Sequence, residues 1–313
     1  MTKLMKAVQI NSFGDRSVLE LNEIDIPAPT EDEVLIKVKS AAVNPVDWKI
    51  REGHFQPIFN HPLPLTLGWD MSGEVVAIGS NVKSLKVGDA VYSHSNIAKN
   101  GSYAEYLTVA ADEVAHKPSS LSWQQAAGIP LAALTAWQSL YELTKLEAGE
   151  RVLIHAGSGA VGQFAIQLAK LCGAYVYTTT SFRNIELVMS LGADHAIDYH
   201  KEDFSELKNI DVVFDTIGGD TQANSWKTLN KGGRLVSVTE NPNQTTAAKH
   251  DVSAFFCFVQ PNRSRLEKLA EIADSGHLRV NIDSEFGLDQ VAEAHERSET
   301  GRAQGKIIIN VSV

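Results

Sequence analysis

Residues Arg151 to Ala174 read RVLIHAGSGAVGQFAIQLAKLCGA. The apolar run Arg151 to Ala156 has the character of a buried strand, glycines follow at 157, 159 and 162, and apolar side chains then recur at helical intervals. Strand, G-x-G-x-x-G turn and helix in that order make the phosphate-gripping turn of a Rossmann unit. The first glycine closes the turn, the second lets backbone approach a pyrophosphate, and the third lets the helix pack closely. The opening of the helix adds unpaired N–H groups and the positive end of its dipole. Gly157, Ser158, Gly159, Ala160, Val161 and Gly162 are therefore the candidate dinucleotide ligands.

Downstream of the turn, apolar strand candidates recur at Tyr175 to Thr180, Asp211 to Asp215, Arg234 to Thr239 and Phe255 to Val259, with helical or loop stretches between most of them. That succession predicts a doubly wound parallel sheet. In NAD-selective versions an acid about 20 residues past the turn binds the ribose 2′-hydroxyl. Here the second strand ends in Thr178, Thr179, Thr180 and Ser181, followed by Phe182 and Arg183, with no carboxylate before Glu186. Hydroxyls and a guanidinium welcome a 2′-phosphate that an acid would repel. Thr180, Ser181 and Arg183 thus predict NADPH over NADH, the competing reading of Arg183 being a solvated first-turn residue.

Upstream, Lys6 to about Lys117 consists of short alternating runs such as VLIKVKSAAV (Val34 to Val43) and GEVVAIG (Gly73 to Gly79), divided by Pro, Gly, Asn and Asp turns. A β-rich domain, partly closed as a barrel, is expected there. Capping-box spacing at Ser122 and Gln125 marks the change to helices. Beyond Pro261 the pattern gives helices at Leu266 to Ser275 and Leu288 to Ser298, then the strand KIIINV at Lys306 to Val311.

The chain's 313 residues, 43% hydrophobic, exceed what one core usually supports and predict two domains. A formal charge of -10 argues against nucleic acid and anionic membrane as partners. Only Cys172 and Cys257 are present, too few for a disulfide framework or a four-thiolate zinc lobe, which fits a reducing compartment. MTKLMKAVQINSFGD has no sustained apolar run, and the apolar stretch near Ala126 to Ala136 is broken by Pro130. A soluble, cytoplasmic protein is expected.

With the glycine turn near mid-chain, the sequence resembles the medium-chain dehydrogenase/reductase superfamily over essentially its whole length. The resemblance is carried by AAVNPVDWKIREG (Ala41 to Gly53), LGWDMSGEVVAIGSNVKSLKVGDAV (Leu67 to Val91), AALTAWQSL (Ala132 to Leu140), LGADHAIDY (Leu191 to Tyr199), DVVFDTIGG (Asp211 to Gly219) and GRAQGKIIINV (Gly301 to Val311). It implies an α/β fold: a GroES-like β-rich catalytic domain over 1–122, a doubly wound Rossmann NADP-binding domain over 123–262, and a return to the catalytic domain over 263–313. Homodimerisation through Rossmann edge strands is implied as well. Zinc-dependent alcohol dehydrogenases of this superfamily draw a Cys from the segment equivalent to Ala42–Asp47 and a His–Glu pair from that equivalent to Gly68–Gly73. Asn44, Trp69 and Asp70 stand in those segments here, so no metal is expected. His54, His61 and His94 lack helical ligand spacing and read as scattered surface histidines.

These departures are similar to the zinc-free quinone oxidoreductase branch, whose enzymes pass hydride from NADPH to a quinone or an α,β-unsaturated carbonyl. Such acceptors are already electrophilic, so orientation matters more than acid–base power. By resemblance, Asn44 and Asp47 lie beside the nicotinamide, Thr135 approaches the nicotinamide or its phosphate, and Tyr199 packs on adenine; the alternatives are a turn-shaping residue before Pro45 for Asn44 and a strand-end aromatic filling a groove for Tyr199. Lys49 is a candidate point charge for a developing enolate, an exposed ion-pairing lysine being the alternative. Ile217, Gly218, Phe256 and Phe258 fall where α/β ligands collect, at the carboxyl ends of strands, with core packing the rival for the two phenylalanines. Trp69, Phe55 and Tyr103 either wall the acceptor site or fill the barrel core. The rival functions are an alcohol or aldehyde dehydrogenase without zinc and a non-catalytic NADPH-sensing protein.

Overall fold

The structure, a computed structural model, describes residues 3–312. The α/β chain divides into two compact units: Met1–Leu131 with Gln260–Gly276 and Val280–Val313, and Ala132–Val259 with His277–Arg279. Each has its own buried apolar clusters.

In the second unit the strand Arg151–Ile154 buries Val152, Leu153 and Ile154 completely, because a parallel strand covered on both faces tolerates only apolar side chains. The chain turns through Ala156, whose φ of 51° is left-handed, and enters the helix Ala160–Leu171. That helix lays Phe164, Ala165, Ile166, Leu168 and Ala169 inward and stops at Gly173, where φ is 86°. The six parallel strands lie in the order His195–Asp198, Tyr175–Thr180, Arg151–Ile154, Ile210–Asp215, Leu229–Ser237 and Ser253–Phe256. Numbered within the unit this is 3-2-1-4-5-6, the dinucleotide-binding order, with its reversal between Arg151–Ile154 and Ile210–Asp215. The strand expected at Phe255–Val259 is corrected to Ser253–Phe256. Its parallel partner ends where Ser237 pairs with Phe256, so Phe258 lies beyond the ladder. Strand His195–Asp198, whose HAID pattern is half polar, sits at the sheet edge.

The first unit is built on a seven-stranded sheet. Its path is Ile282–Gly287, Lys306–Asn310, Glu33–Val43, Asp70–Ile78, Ala90–His94 and Val114–His116, with Tyr106–Ala110 also pairing Glu33–Val43. A smaller sheet joins Leu19–Asp25, Leu4–Ile10 and Leu65–Thr66. The capping box at Ser122 forms as its spacing predicts, both bonds present, and opens the helix Trp123–Ala127. Two features of register matter for function. Ala42 pairs with Asp70 and Asp70 with His94 in one row across three strands. Ile307 pairs with Val43, so the next step of the antiparallel ladder sets Lys306 opposite Asn44.

Among the described residues no helix is long and apolar enough to cross a membrane.

Candidate active site

In the second unit the glycine turn has no room for side chains at two places. A Cβ on Gly157 would come 2.0 Å from Thr178 Oγ1, and one on Gly162 would come 2.3 Å from the carbonyl oxygen of Ala156. Ser158, between them, ties the turn to the end of the second strand by accepting from Thr180 Oγ1 at 3.1 Å and from Asn184 Nδ2 at 2.9 Å. Gly159 caps the helix in which Ala160, Val161 and Gly162 form the first turn. Ser181 and Arg183 lie just past the strand Tyr175–Thr180; Arg183 is exposed and forms no ion pair among the described residues. Asn184 went unnoticed in the sequence, since one Asn near a helix start has many uses.

Lys201 was missed as well. Its ammonium lies 4.7 Å from the centroid of the Phe182 ring, bringing a second cation to the carboxyl end of the second strand. Asp198, paired in register with Thr180, places its Oδ2 3.9 Å from the same ammonium. It is buried and accepts from the N–H of His200 at 3.2 Å, so its charge is engaged by its own loop.

Beside the turn is a cavity of about 610 Å³ lined by His155, Thr179, Tyr199, Phe204, Ile217 and Thr221 among others. Tyr199 and Ile217 are 55% and 52% exposed, far above what core residues of their size show. Gly218, with φ of 81°, precedes the helix Gly219–Ser225 and donates its N–H to Asp215 at 2.9 Å. His155 is fully buried between Thr179 Oγ1 at 3.1 Å and Ser225 Oγ at 2.9 Å, and burial lowers its pKa to about 4. Ser225 gives its hydroxyl proton to Thr221, so the imidazole donates from Nε2 and stays neutral. Phe256 and Phe258 are each 37% exposed, which sets aside the core-packing alternative. Thr135 is buried in the helix Pro130–Trp137.

In the first unit the sheet register gathers a buried polar cluster. Asp70, wholly buried, accepts from Asn44 Nδ2 at 2.9 Å, His94 Nδ1 at 2.9 Å, the N–H of Leu131 at 2.9 Å and Lys306 Nζ at 3.3 Å. Lys306 also donates to Asn44 Oδ1 at 2.6 Å. Burial alone would push the Asp70 carboxyl up, yet Lys306, His94 and Asn44 together hold it below its usual value. Asn44 N–H donates to Asp47 Oδ2 at 2.8 Å, closing the start of the helix Pro45–Arg51. Tyr103 donates to the same oxygen at 2.7 Å.

Asn44 and Asp47 are thus brought together, whereas Lys49 is not. It is half-buried with its ammonium 5.5 Å from the Trp48 ring, and the cation beside Asn44 belongs to Lys306. A lysine opening the apolar run KIIIN was the available signal. The expectation of surface histidines holds for His54 alone. His61 and His94 are 4% and 1% exposed, anchored by Ile97 O at 2.7 Å and by Asp70, because each has a buried acceptor to satisfy it. Trp69 and Tyr103 are fully buried in an apolar cluster, with Phe55 packed against it.

Residues 30–119 match the family model of the alcohol dehydrogenase GroES-like domain, and residues 191–309 that described as zinc-binding dehydrogenase. The chain is 40% identical to a 2-methylene-furan-3-one reductase of Solanum lycopersicum, over 98% of this chain and 79% of that protein. It is also 40% identical to a chloroplastic NADPH-dependent alkenal/one oxidoreductase of Arabidopsis thaliana, covering 98% and 80%. A solved quinone oxidoreductase from Coxiella burnetii superposes with a TM-score of 0.93 at 37% identity, over 99% of this chain and all of that one (100%). The chain belongs to the quinone and enone oxidoreductase branch of the medium-chain dehydrogenase/reductase superfamily. One of the two matching models is named for zinc, but in this branch member no group of three or more His, Cys, Asp and Glu side chains among the described residues is placed to hold a metal ion. Asp70, the acid of the relevant segment, is already saturated by an ammonium, an imidazole and two amide groups.

Proposed function

We propose that the protein reduces quinones or α,β-unsaturated carbonyls with NADPH and without a metal. The observation that carries the cofactor reading is the carboxyl end of the second strand, where Thr180, Ser181 and the exposed Arg183 stand beside the Ser158-anchored turn, while the buried carboxylate of Asp198 is paired with Lys201. Gly157 to Gly162 hold the diphosphate on backbone N–H groups, and Thr180, Ser181 and Arg183 take the 2′-phosphate. Tyr199 covers the adenine. Thr135, Ile217, Gly218, Phe256 and Phe258 complete the cofactor contacts, while Asn44 and Asp47 serve the reacting end. Bound NADPH supplies a hydride.

The acceptor class follows from the branch, whose relatives carry names of alkenal, furanone and quinone reduction. The filled ligand shell of Asp70 supports chemistry on an acceptor that needs no Lewis acid to polarise it. Cys172 and Cys257, neither of them in a disulfide, suit a reducing compartment, and we place the protein in the cytoplasm. The edge strand Ser253–Phe256 is our choice for the dimer contact, to be tested by light scattering. Loss of NADPH absorbance in the presence of a naphthoquinone, a 2-alkenal and a simple aldehyde tests the activity. Reduction of the first two and not the third is expected; binding of NADPH with no acceptor reduced would favour a sensing protein.

A further inference from the structure

Ser158, half-buried in the glycine turn, takes two hydrogen bonds on one oxygen and keeps its own proton. Its Oγ accepts from Thr180 Oγ1 at 3.1 Å and from Asn184 Nδ2 at 2.9 Å, and its carbonyl accepts from Gln163 Nε2 at 2.8 Å. A serine oxygen carries two lone pairs and one proton. With both lone pairs engaged by the end of the second strand and the residues after it, the O–H points away from Thr180 and Asn184. No acceptor among the described residues receives it.

Asn184 is committed to this one contact. It precedes the helix Ile185–Ser190, where an Asn normally accepts from N–H groups of the first turn, yet its side chain makes no such bond. The residue is 6% exposed, and its Oδ1 is buried without a partner among the described residues. Turned the other way, the amide would offer Oδ1 to the Ser158 proton, and both groups would be satisfied. The arrangement present leaves a carbonyl unpaired, which costs stability, and in return holds a hydroxyl proton free. Stiffening of the turn alone would not call for that. Two further donors stand unused close by in the chain: Ser181 makes no side-chain bond to the turn it opens, and Arg183 is exposed.

We propose that the Ser158 hydroxyl donates to the 2′-phosphate of NADPH, with Asn184 as the positioning residue that keeps its proton outward, and that the pair selects NADPH over NADH. The inference rests on the NADPH reading above. Ser158 Oγ lies 3.1 Å from Thr180, the last residue of the second strand, and folds with this strand order read the ribose 2′-substituent at that strand end. A phosphate dianion only accepts, so a fixed donor suits it, and a charge-assisted hydrogen bond is roughly twice as strong as a neutral one. The same O–H can meet the 2′-hydroxyl of NADH, but only as a neutral bond. Selectivity comes from that difference.

The test titrates wild type, Ser158→Ala, Asn184→Asp and Arg183→Ala with NADPH and with NADH by fluorescence, with urea unfolding run on each variant. Ser158→Ala should lower the ratio of NADPH to NADH affinity by about 5-fold to about 30-fold. Asn184→Asp replaces the amide by a carboxylate that draws the Ser158 proton inward and repels the phosphate, so the ratio should fall further still. Asp is also a good residue to precede a helix, which favours a folded variant; should it not fold, Ser158→Ala decides alone. A serine that merely stiffens the turn would weaken both cofactors together. A wild-type ratio in folded Ser158→Ala, or in folded Asn184→Asp, therefore overturns the proposal. If Arg183→Ala abolishes the preference and Ser158→Ala leaves it intact, the proposal falls alone and the NADPH reading stands. Equal affinity of wild type for the two cofactors overturns both.

Discussion

Alanine at Gly157 would strike the glycine turn where it is tightest. Its Cβ would lie 2.0 Å from Thr178 Oγ1, 3.0 Å from Thr178 Cβ and 2.9 Å from Ile166 Cδ1, where ordinary contact begins near 3.4 Å. Thr178 cannot swing aside freely, because its hydroxyl holds the carbonyl of Ile154 at 2.8 Å. Turn and second strand must therefore part by about an ångström or more, carrying the N–H groups away from the diphosphate. Overpacking of this kind costs about 1–3 kcal/mol. If that falls on the bound conformation, NADPH binding weakens by about 5-fold to about 150-fold. Adding Thr178→Ala removes the obstructing atom and should recover much of the loss. The same second change should not rescue Gly162→Ala, whose Cβ would meet backbone, Ala156 O at 2.3 Å and Gly157 Cα at 2.8 Å. Titration of NADPH fluorescence, with urea unfolding run alongside, separates binding from stability. Wild-type affinity in Gly157→Ala, or equal rescue of both glycine variants by Thr178→Ala, would refute the reasoning.

Arg183→Ala should lower the ratio of NADPH to NADH affinity by roughly tenfold to a hundredfold, with Lys201→Ala giving a smaller fall; an unchanged ratio in Arg183→Ala means the 2′-phosphate sits elsewhere. Lys306→Met leaves the Asp70 charge buried without its ammonium and should cost about 3–5 kcal/mol in urea unfolding, much of it regained on adding Asp70→Asn; equal stability of the single variant and wild type would contradict the buried pair. His155 and His295 have pKa values of about 4 and about 3 in the fold against an ordinary 6.5, so unfolding in acid takes up protons. Their contribution is complete above about pH 6.5 and is lost as pH falls toward those folded values. His155→Gln should accordingly flatten the decline in urea midpoint between pH 7 and pH 5, and a slope like that of wild type would show His155 to be uninvolved.

The Rossmann half was legible because its signals are local. The glycine spacing, the apolar strand before it and the amphipathic helix after it are written in consecutive residues, and the missing acid after Thr180 could be read by counting. The polar cluster of the first unit was only half legible. Asn44 and Asp47 stood out through the family pattern, but Asp70, His94 and Lys306 join them through cross-strand register, which depends on pairing partners far along the chain. Lys306 was hidden in plain composition, since nothing about a lysine beside three isoleucines says that it faces inward. Tyr103 and His295 were obscured for the same reason. A tyrosine in a β-rich stretch and a histidine in a polar helix look like packing and surface until the fold sets them 3.4 Å apart.

Lys306 meets Asn44 across 262 positions of chain, and the whole Ala132–Val259 unit is made in between. During synthesis Asn44 and the strand carrying Asp70 emerge early but lack the Lys306 ammonium that pairs with the buried carboxylate. The half of the protein begun first is therefore finished last. A ribosome stalled ahead of Gly305 would leave a nascent chain able to shape its glycine turn while its other half still holds an uncompensated charge.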